Sequence, residues 1–235
     1  MAWYLARFAK HVFTNKILKV INYAYIPISG FAMLLTGSRL ALFALVPALI
    51  YIVGTLIRPN RILTNVILLL AIFGALLALQ TLVPQSTWER LATARTSILE
   101  GDLGGRVSLW KESINAFLEH PITGVGAGAF RIVNPYGSAA HNTYLSVLAE
   151  LGFIGFVLFI SLLAIVCHSI RYQTGSELKL WVTVLAILVI GISVQTWEFT
   201  KTTFLVLSMI VISASLEKYR TPVEIRAQAS EALVA

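Results

Sequence analysis

The chain has 235 residues, of which 57% are hydrophobic and only 12% charged, with a formal net charge of +7. A soluble domain carries roughly twice that charged fraction, and several apolar runs reach the about 20 residues needed to cross a bilayer, so an ordinary water-soluble globule is excluded and an integral membrane protein is predicted. Lys and Arg are spread over loop ends and form no stripe, which argues against nucleic acid as a partner.

Residues 1–16 mix Arg7, Lys10, His11 and Lys16 with Trp3, Tyr4, Phe8 and Phe13, the pattern of an amphipathic arm resting on a membrane surface. The apolar run that follows is full length and has no small-residue cleavage site, so no cleavable signal peptide is expected. The first span is expected at 17–35, kinked at Pro27. Thr36-Gly37-Ser38-Arg39 makes a short turn, 40–57 a second span, Arg58 to Arg61 a basic turn and 62–83 a third span. The only long polar insertion follows, 84–141. Further spans are expected at 142–170, 178–197 and 199–216, and the polar tail from Glu217 is expected to fray. Cys167, the single cysteine, excludes an intrachain disulfide and a cysteine-based metal site; in its apolar run it reads as a small packed hydrophobe.

These elements predict an all-α integral membrane protein of about six transmembrane helices with one long, partly helical loop. Its parts are an arm and three spans (1–83), the loop with an amphipathic helix (84–141), three spans (142–216) and a tail (217–235). The arm, the Arg58/Arg61 turn, the Arg171/Lys179 loop and the tail hold most of the 18 Lys and Arg residues. Basic residues mark cytoplasmic loops. Both termini are therefore expected in the cytoplasm, and the long loop, Arg39 and His141 on the outer face, which is periplasmic in a diderm bacterium.

Within the loop, 88–99 can form a short helix and Gly101-Asp-Leu-Gly-Gly105 breaks it. From Arg106, the apolar positions Val107, Trp110, Ile114, Phe117 and Leu118 recur at helical spacing, with Lys111, Glu112, Asn115 and Glu119 between them. This predicts a helix of about four turns lying on the membrane or on the bundle, ended by His120-Pro121. Arg106 in its first turn opposes the helix dipole and reads as either a functional or a solvated cation. Arg39, at the start of a span, reads as an anion-holding residue or a snorkelling anchor. Gly124-Val-Gly126-Ala-Gly128 lacks the Lys-Ser/Thr of a Walker motif and the spacing of a Rossmann fingerprint. It predicts a tight turn that lets the loop pass close to a substrate or a helix.

His141-Asn142 opens the fourth span. A histidine titrates near working pH, so His141 can take a proton from a hydroxyl or hold a phosphate; an interfacial cap is the plainer reading. Glu150 is expected to face the bundle interior in a structural role, with Gly152 and Gly155 letting another helix approach. His11 and His168 map to the cytoplasmic side and His120 to helix punctuation. No metal-ligand spacing, Gly-x-Ser-x-Gly elbow or Ser-His-Asp set is visible, and no metal or other cofactor is expected.

Four motifs in register carry a resemblance: Arg106-x-x-x-Trp110; His120-Pro-Ile-Thr-Gly-Val-Gly-Ala-Gly-Ala-Phe130; His141-Asn-Thr-Tyr144; and Glu150-Leu-Gly-Phe-Ile-Gly155. With Thr36-Gly-Ser-Arg39 before a span, the chain resembles the O-antigen ligase and polymerase superfamily over about residues 20–200. The resemblance implies glycan transfer on the outer face of the bacterial inner membrane. The donor would be an undecaprenyl-diphosphate-linked glycan, the acceptor a sugar hydroxyl of lipid A-core for a ligase or another repeat unit for a polymerase. It implies Arg39 and Arg106 as diphosphate-binding and catalytic residues, Arg131 as a further substrate-binding residue, and His141 as general base. Guanidinium suits a diphosphate through bidentate, charge-assisted bonds. Members of the family usually have about twice as many spans, with the Ser-Arg turn past the middle. The expectation is therefore a fragment, a chain that works with a separately encoded N-terminal half, or a non-catalytic remnant or partner subunit. A small transporter ranks last, since no internal repeat is evident.

Overall fold

The computed structural model describes residues 4, 16–36, 38–57, 60–67, 69–70, 74, 77, 84–85, 88–89 and 105–234. Most of the expected third span, the short helix at 88–99 and nearly all of the N-terminal arm lie outside them. Among the described residues the main helices are α1 Lys16–Leu35, α2 Arg39–Leu56, α3 Arg106–Glu119, α4 Phe130–Val133, α5 Thr143–Ile170, α6 Gly175–Val194 and α7 Lys201–Val234. Among the described residues there is no strand. The chain divides into two compact units, 1–105 and 106–235.

In the first unit α1 packs on α2. Both are apolar helices carrying an internal proline, Pro27 and Pro47. Asn22 Nδ2 donates to the Leu18 carbonyl (3.1 Å) and Ser29 Oγ to that of Ile26 (3.0 Å) within α1, and Thr55 Oγ1 donates to the Ile52 carbonyl (2.7 Å) within α2. Thr36 builds the turn between them. Its Oγ1 donates to the Met33 carbonyl at 2.7 Å and accepts from the Ser38 N–H at 3.2 Å, satisfying groups that a helix end leaves open.

In the second unit, three helices are long and apolar enough to cross a membrane: Thr143–Ile170, Gly175–Val194 and Lys201–Tyr219. Val147, Val166, Leu188, Ile192, Leu207 and Ile210 form their buried seam, whereas Phe153, Leu158, Leu205 and Ile212 point outward. An outward apolar belt of this extent calls for lipid as solvent, and the chain is a helical membrane protein. At one end, Ser213 Oγ accepts from Trp181 Nε1 at 2.9 Å and pairs with the buried Gln173 amide at 3.0 Å, tying α6 and the α5–α6 turn to α7.

Several expectations are corrected. The span expected at 178–197 is α6, which starts and ends earlier, at Gly175 and Val194. The span expected at 199–216 is α7, which continues through the tail to Val234, past Pro222; the tail has no glycine, and its Glu, Lys, Arg and Ala residues are good helix formers. Cys167 is exposed on α5, not packed. The helix predicted from Arg106 is present, but its buried face is Leu109, Ser113 and Ala116, while Ile114 and Leu118 are 45% and 66% exposed. Small residues on that face let α3 lie directly on α5.

Candidate functional site

The site is built on a break in α5. Gly152 has φ +64° and ψ −162°, which interrupts the helix. A break frees backbone groups on both sides, and buried ones must find partners. They find them in residues 121–126. Val125 N–H donates to the Ala149 carbonyl and Gly126 N–H to the Glu150 carbonyl, both at 2.9 Å. Beyond the break, Phe153 N–H donates to the Pro121 carbonyl at 2.8 Å and Ile154 N–H to that of Ile122 at 3.4 Å. Gly124, at φ +69°, faces Gly152 across this seam. A Cβ on Gly124 would run into the Glu150 backbone, and one on Gly152 into the Ile122 carbonyl. The glycine-rich turn therefore does pass close to a helix. The expected helix approach at Gly152 is corrected: a loop fills that place. The atoms nearest a Cβ at Gly155 would be those of the Leu151 side chain of its own helix.

Glu150 completes the seam. It is 4% exposed, and its Oε2 accepts from Gly128 N–H at 2.7 Å. Its role is to anchor the loop. Phe130, 1% exposed, plugs the space between α3, the loop and α5 together with Ala116, Ala140 and Ala149. Asn134 shapes the next turn: its Nδ2 donates to the carbonyls of Phe130 (2.5 Å) and Ser138 (2.9 Å), and its Oδ1 accepts from Tyr136 N–H at 3.0 Å.

This scaffold delivers His141 to the mouth of α5. His141 is half-buried and holds φ +50°, the one non-glycine residue with positive φ among the described residues. That conformation costs about 1–2 kcal/mol and persists where surroundings impose it. Here residues 193–198, at the end of α6 and beyond, impose it. His141 N–H donates to Thr196 Oγ1 at 3.1 Å, and His141 Nδ1 lies 3.4 Å from Gln195 Oε1. Asn142 caps α5 by accepting from Leu145 N–H at 3.1 Å, and its Nδ2 donates to the Ser193 carbonyl at 3.1 Å. Thr143 Oγ1 donates to the Gln195 carbonyl (2.7 Å) and accepts from Trp197 N–H (2.9 Å). The open end of α6 is thus closed by the start of α5.

One turn deeper, Ser146 Oγ donates to Glu198 Oε1. Glu198 is 6% exposed, and its Oε2 is buried with no hydrogen-bond partner among the described residues. Burial pushes the Glu198 carboxyl above the usual carboxylate range; the Ser146 hydrogen bond partly offsets this, and the charge of Glu150 adds to it. Beside this segment a groove of about 390 Å³ runs between α6 and α7, lined by Val184, Leu188, Trp197, Thr203 and Val206.

Of the residues singled out from sequence, Arg106 opens α3 and is half-buried, Arg131 is exposed on α4, and His141 stands at the entry to α5. All three belong to the second unit, on the elements gathered around the first turns of α5. Arg39 is the first residue of α2, in the first unit. Asn134, Gln195, Thr196 and Glu198 were missed. Only Asn134 carried a local signal, as an Asn-Pro turn former; the others are defined by partners more than 50 residues away. Among the described residues, no three His, Cys, Asp or Glu converge as metal ligands.

A family model described as O-antigen ligase matches residues 24–160, more than half of the chain. No curated protein and no solved structure matches it. The match takes in Arg39, Arg106, Arg131, His141 and the α5 break, and stops short of residues 193–198.

Proposed function

The chain belongs to the O-antigen ligase family, and on that premise we propose that it transfers a polysaccharide from undecaprenyl diphosphate to a sugar hydroxyl of lipid A-core at the periplasmic face of the bacterial inner membrane. His141 is the general base. It takes the proton of the acceptor hydroxyl as that oxygen attacks the anomeric carbon; the bond from that carbon to the diphosphate breaks, and undecaprenyl diphosphate leaves with the electron pair. A single displacement of this kind inverts the anomeric centre. Arg39 and Arg106 bind the diphosphate and stabilise the charge that builds on it, and Arg131 contributes to donor binding. The groove beside Trp197 suits the apolar chain of a lipid-linked donor. The loop 84–141 lies on the periplasmic side, with six spans holding both termini in the cytoplasm.

The observation that carries this reading is the posture of His141. A merely interfacial cap does not require a histidine held at φ +50° and braced by both Gln195 and Thr196. The test is the lipopolysaccharide pattern of the native host carrying His141→Ala at the chromosomal locus. Loss of long-chain ladders from lipid A-core, with accumulation of lipid-linked polymer, is the expected result. Single repeats left on the core would identify a polymerase. An unchanged pattern, with other surface polysaccharides also intact, would identify a non-catalytic partner or remnant.

A further inference from the structure

We infer that Gln195, which lies outside the stretch that carries the family's motifs, is the positioning residue that sets the tautomer of His141 and so decides which ring nitrogen acts as base. The inference rests on the proposed role of His141 and adds a residue to it.

The geometry is specific. The nitrogen facing Gln195 Oε1 is Nδ1, at 3.4 Å. An amide oxygen only accepts, so the contact is a hydrogen bond only when Nδ1 carries the proton. The lone pair then sits on Nε2, on the far side of the ring, and Nε2 is the atom able to take a hydroxyl proton. Neutral imidazole in water favours the opposite form, with the proton on Nε2 and the lone pair on Nδ1. Without Gln195 the commoner tautomer would turn an N–H toward the acceptor in place of a base. A hydrogen bond to one ring nitrogen is the ordinary means by which a protein makes this choice.

Gln195 is itself fixed. It terminates α6 with extended backbone (φ −139°, ψ 161°), and its carbonyl accepts from Thr143 Oγ1 at 2.7 Å. Its neighbour Thr196 accepts the His141 N–H. One dipeptide therefore holds the backbone and the ring of His141 together, and the left-handed backbone of His141 brings both contacts to the same segment. Among the described residues, Gln195 is the side chain in hydrogen-bond contact with the His141 ring, while Glu198, the titratable group on this segment, bonds Ser146 through Oε1.

The test is nitrogen NMR of the full-length protein with ¹⁵N-labelled histidine in lipid nanodiscs. The sequence holds four histidines, so His141 is assigned by difference from His141→Gln. The expected neutral form is protonated on Nδ1. In Gln195→Leu it should revert to the Nε2-protonated form; in Gln195→Glu, which still accepts, it should stay on Nδ1. Transfer from undecaprenyl-diphosphate-linked glycan to lipid A-core should fall about tenfold to a hundredfold in kcat for Gln195→Leu, by analogy with the loss of a hydrogen-bond partner that orients a metal-ligating histidine, with KM little changed and activity largely kept in Gln195→Glu.

A wild-type spectrum with the proton on Nε2 overturns the inference without recourse to any variant. A tautomer switch in Gln195→Leu that leaves kcat unchanged overturns the positioning role. Full transfer by His141→Gln is a separate outcome: it removes the general-base reading, whatever the tautomer.

Discussion

Glu150, on α5, and Glu198, packed against it through Ser146, are both buried, and they meet different surroundings. Glu150 accepts the Gly128 N–H. Glu150→Ala leaves that donor without its acceptor, which costs about 1–3 kcal/mol. Melting of the purified protein in detergent should register the loss, and amide exchange at 124–130 should rise. An unchanged melting curve would sink the anchoring role. Glu198 has one bonded oxygen and one with no partner among the described residues, and burial holds its carboxyl above the usual range. A raised pKa in the folded state means that folding favours the protonated form. This contribution is neutral below the ordinary carboxyl range and turns increasingly unfavourable as pH rises toward the raised folded value, by at most about 1.4 kcal/mol per pH unit. Glu198→Gln should flatten that decline. Melting temperatures of both proteins across pH 4 to 8, on the order of the titration window, would check it; parallel curves would exclude it.

At the scale of elements, the break in α5 concentrates the most demanding backbone. Gly152→Ala adds a Cβ against the Ile122 carbonyl at φ +64°, so left-handed strain of about 1–2 kcal/mol is joined by loss of seam hydrogen bonds worth about 0.5–1.5 kcal/mol each. Gly30→Ala on α1, where a Cβ meets open space, should be neutral or slightly stabilising. Equal melting temperatures for the two variants would contradict the seam. The α5–α6 junction is tested by Thr143→Val, which keeps volume but removes both the bond to the Gln195 carbonyl and the bond from Trp197 N–H; a loss of about 2–4 kcal/mol is expected from two unpaired groups. Part of this was legible in the sequence. The glycine spacing at 124–128 reads as a close-passing turn, and a cap was expected at the mouth of this span, although on His141; the residue that caps α5 is Asn142. The break was not legible, because Leu151-Gly-Phe-Ile-Gly155 keeps its apolar character straight through it, and a positive φ leaves no mark on periodicity. The junction was not legible either: Ser146 meets Glu198 across 52 residues, and nothing near either residue announces the other.

For the whole molecule, the direction of α5 sets the sides. His141 precedes its first turn and Arg171 follows its last, so the two residues stand at opposite ends of it. At the Arg171 end, Arg171 and Lys218 lie over the Tyr172 ring, at 4.8 and 5.0 Å, a cationic and aromatic collar of the kind that settles at a membrane–water boundary. If that collar is cytoplasmic, Tyr136, 57% exposed on the loop, faces the periplasm. Tyr136→Cys in a Cys167→Ser background should then react with a membrane-impermeant maleimide in cells whose outer membrane alone is permeabilised. Labelling only after the inner membrane is opened would reverse the topology. The membrane character and the three long spans follow from apolar length alone and were legible. The helical tail was not, because its polarity invited a frayed reading while its composition favours helix.

The seam across Gly152 also has a consequence for biosynthesis. Residues 121–126 leave the ribosome before their partners at 149–154, and until those arrive their backbone groups have only water to bond. The first half of α5 is unfinished for the same interval, since its carbonyls at 149 and 150 are met by the loop. Neither piece can complete itself first. The His141 region therefore matures in two steps: the loop closes once the nascent chain has passed Ile154, and His141 gains its brace only after residues 193–198 have been made. A nascent chain stalled between those two points would carry a closed loop and an unbraced histidine.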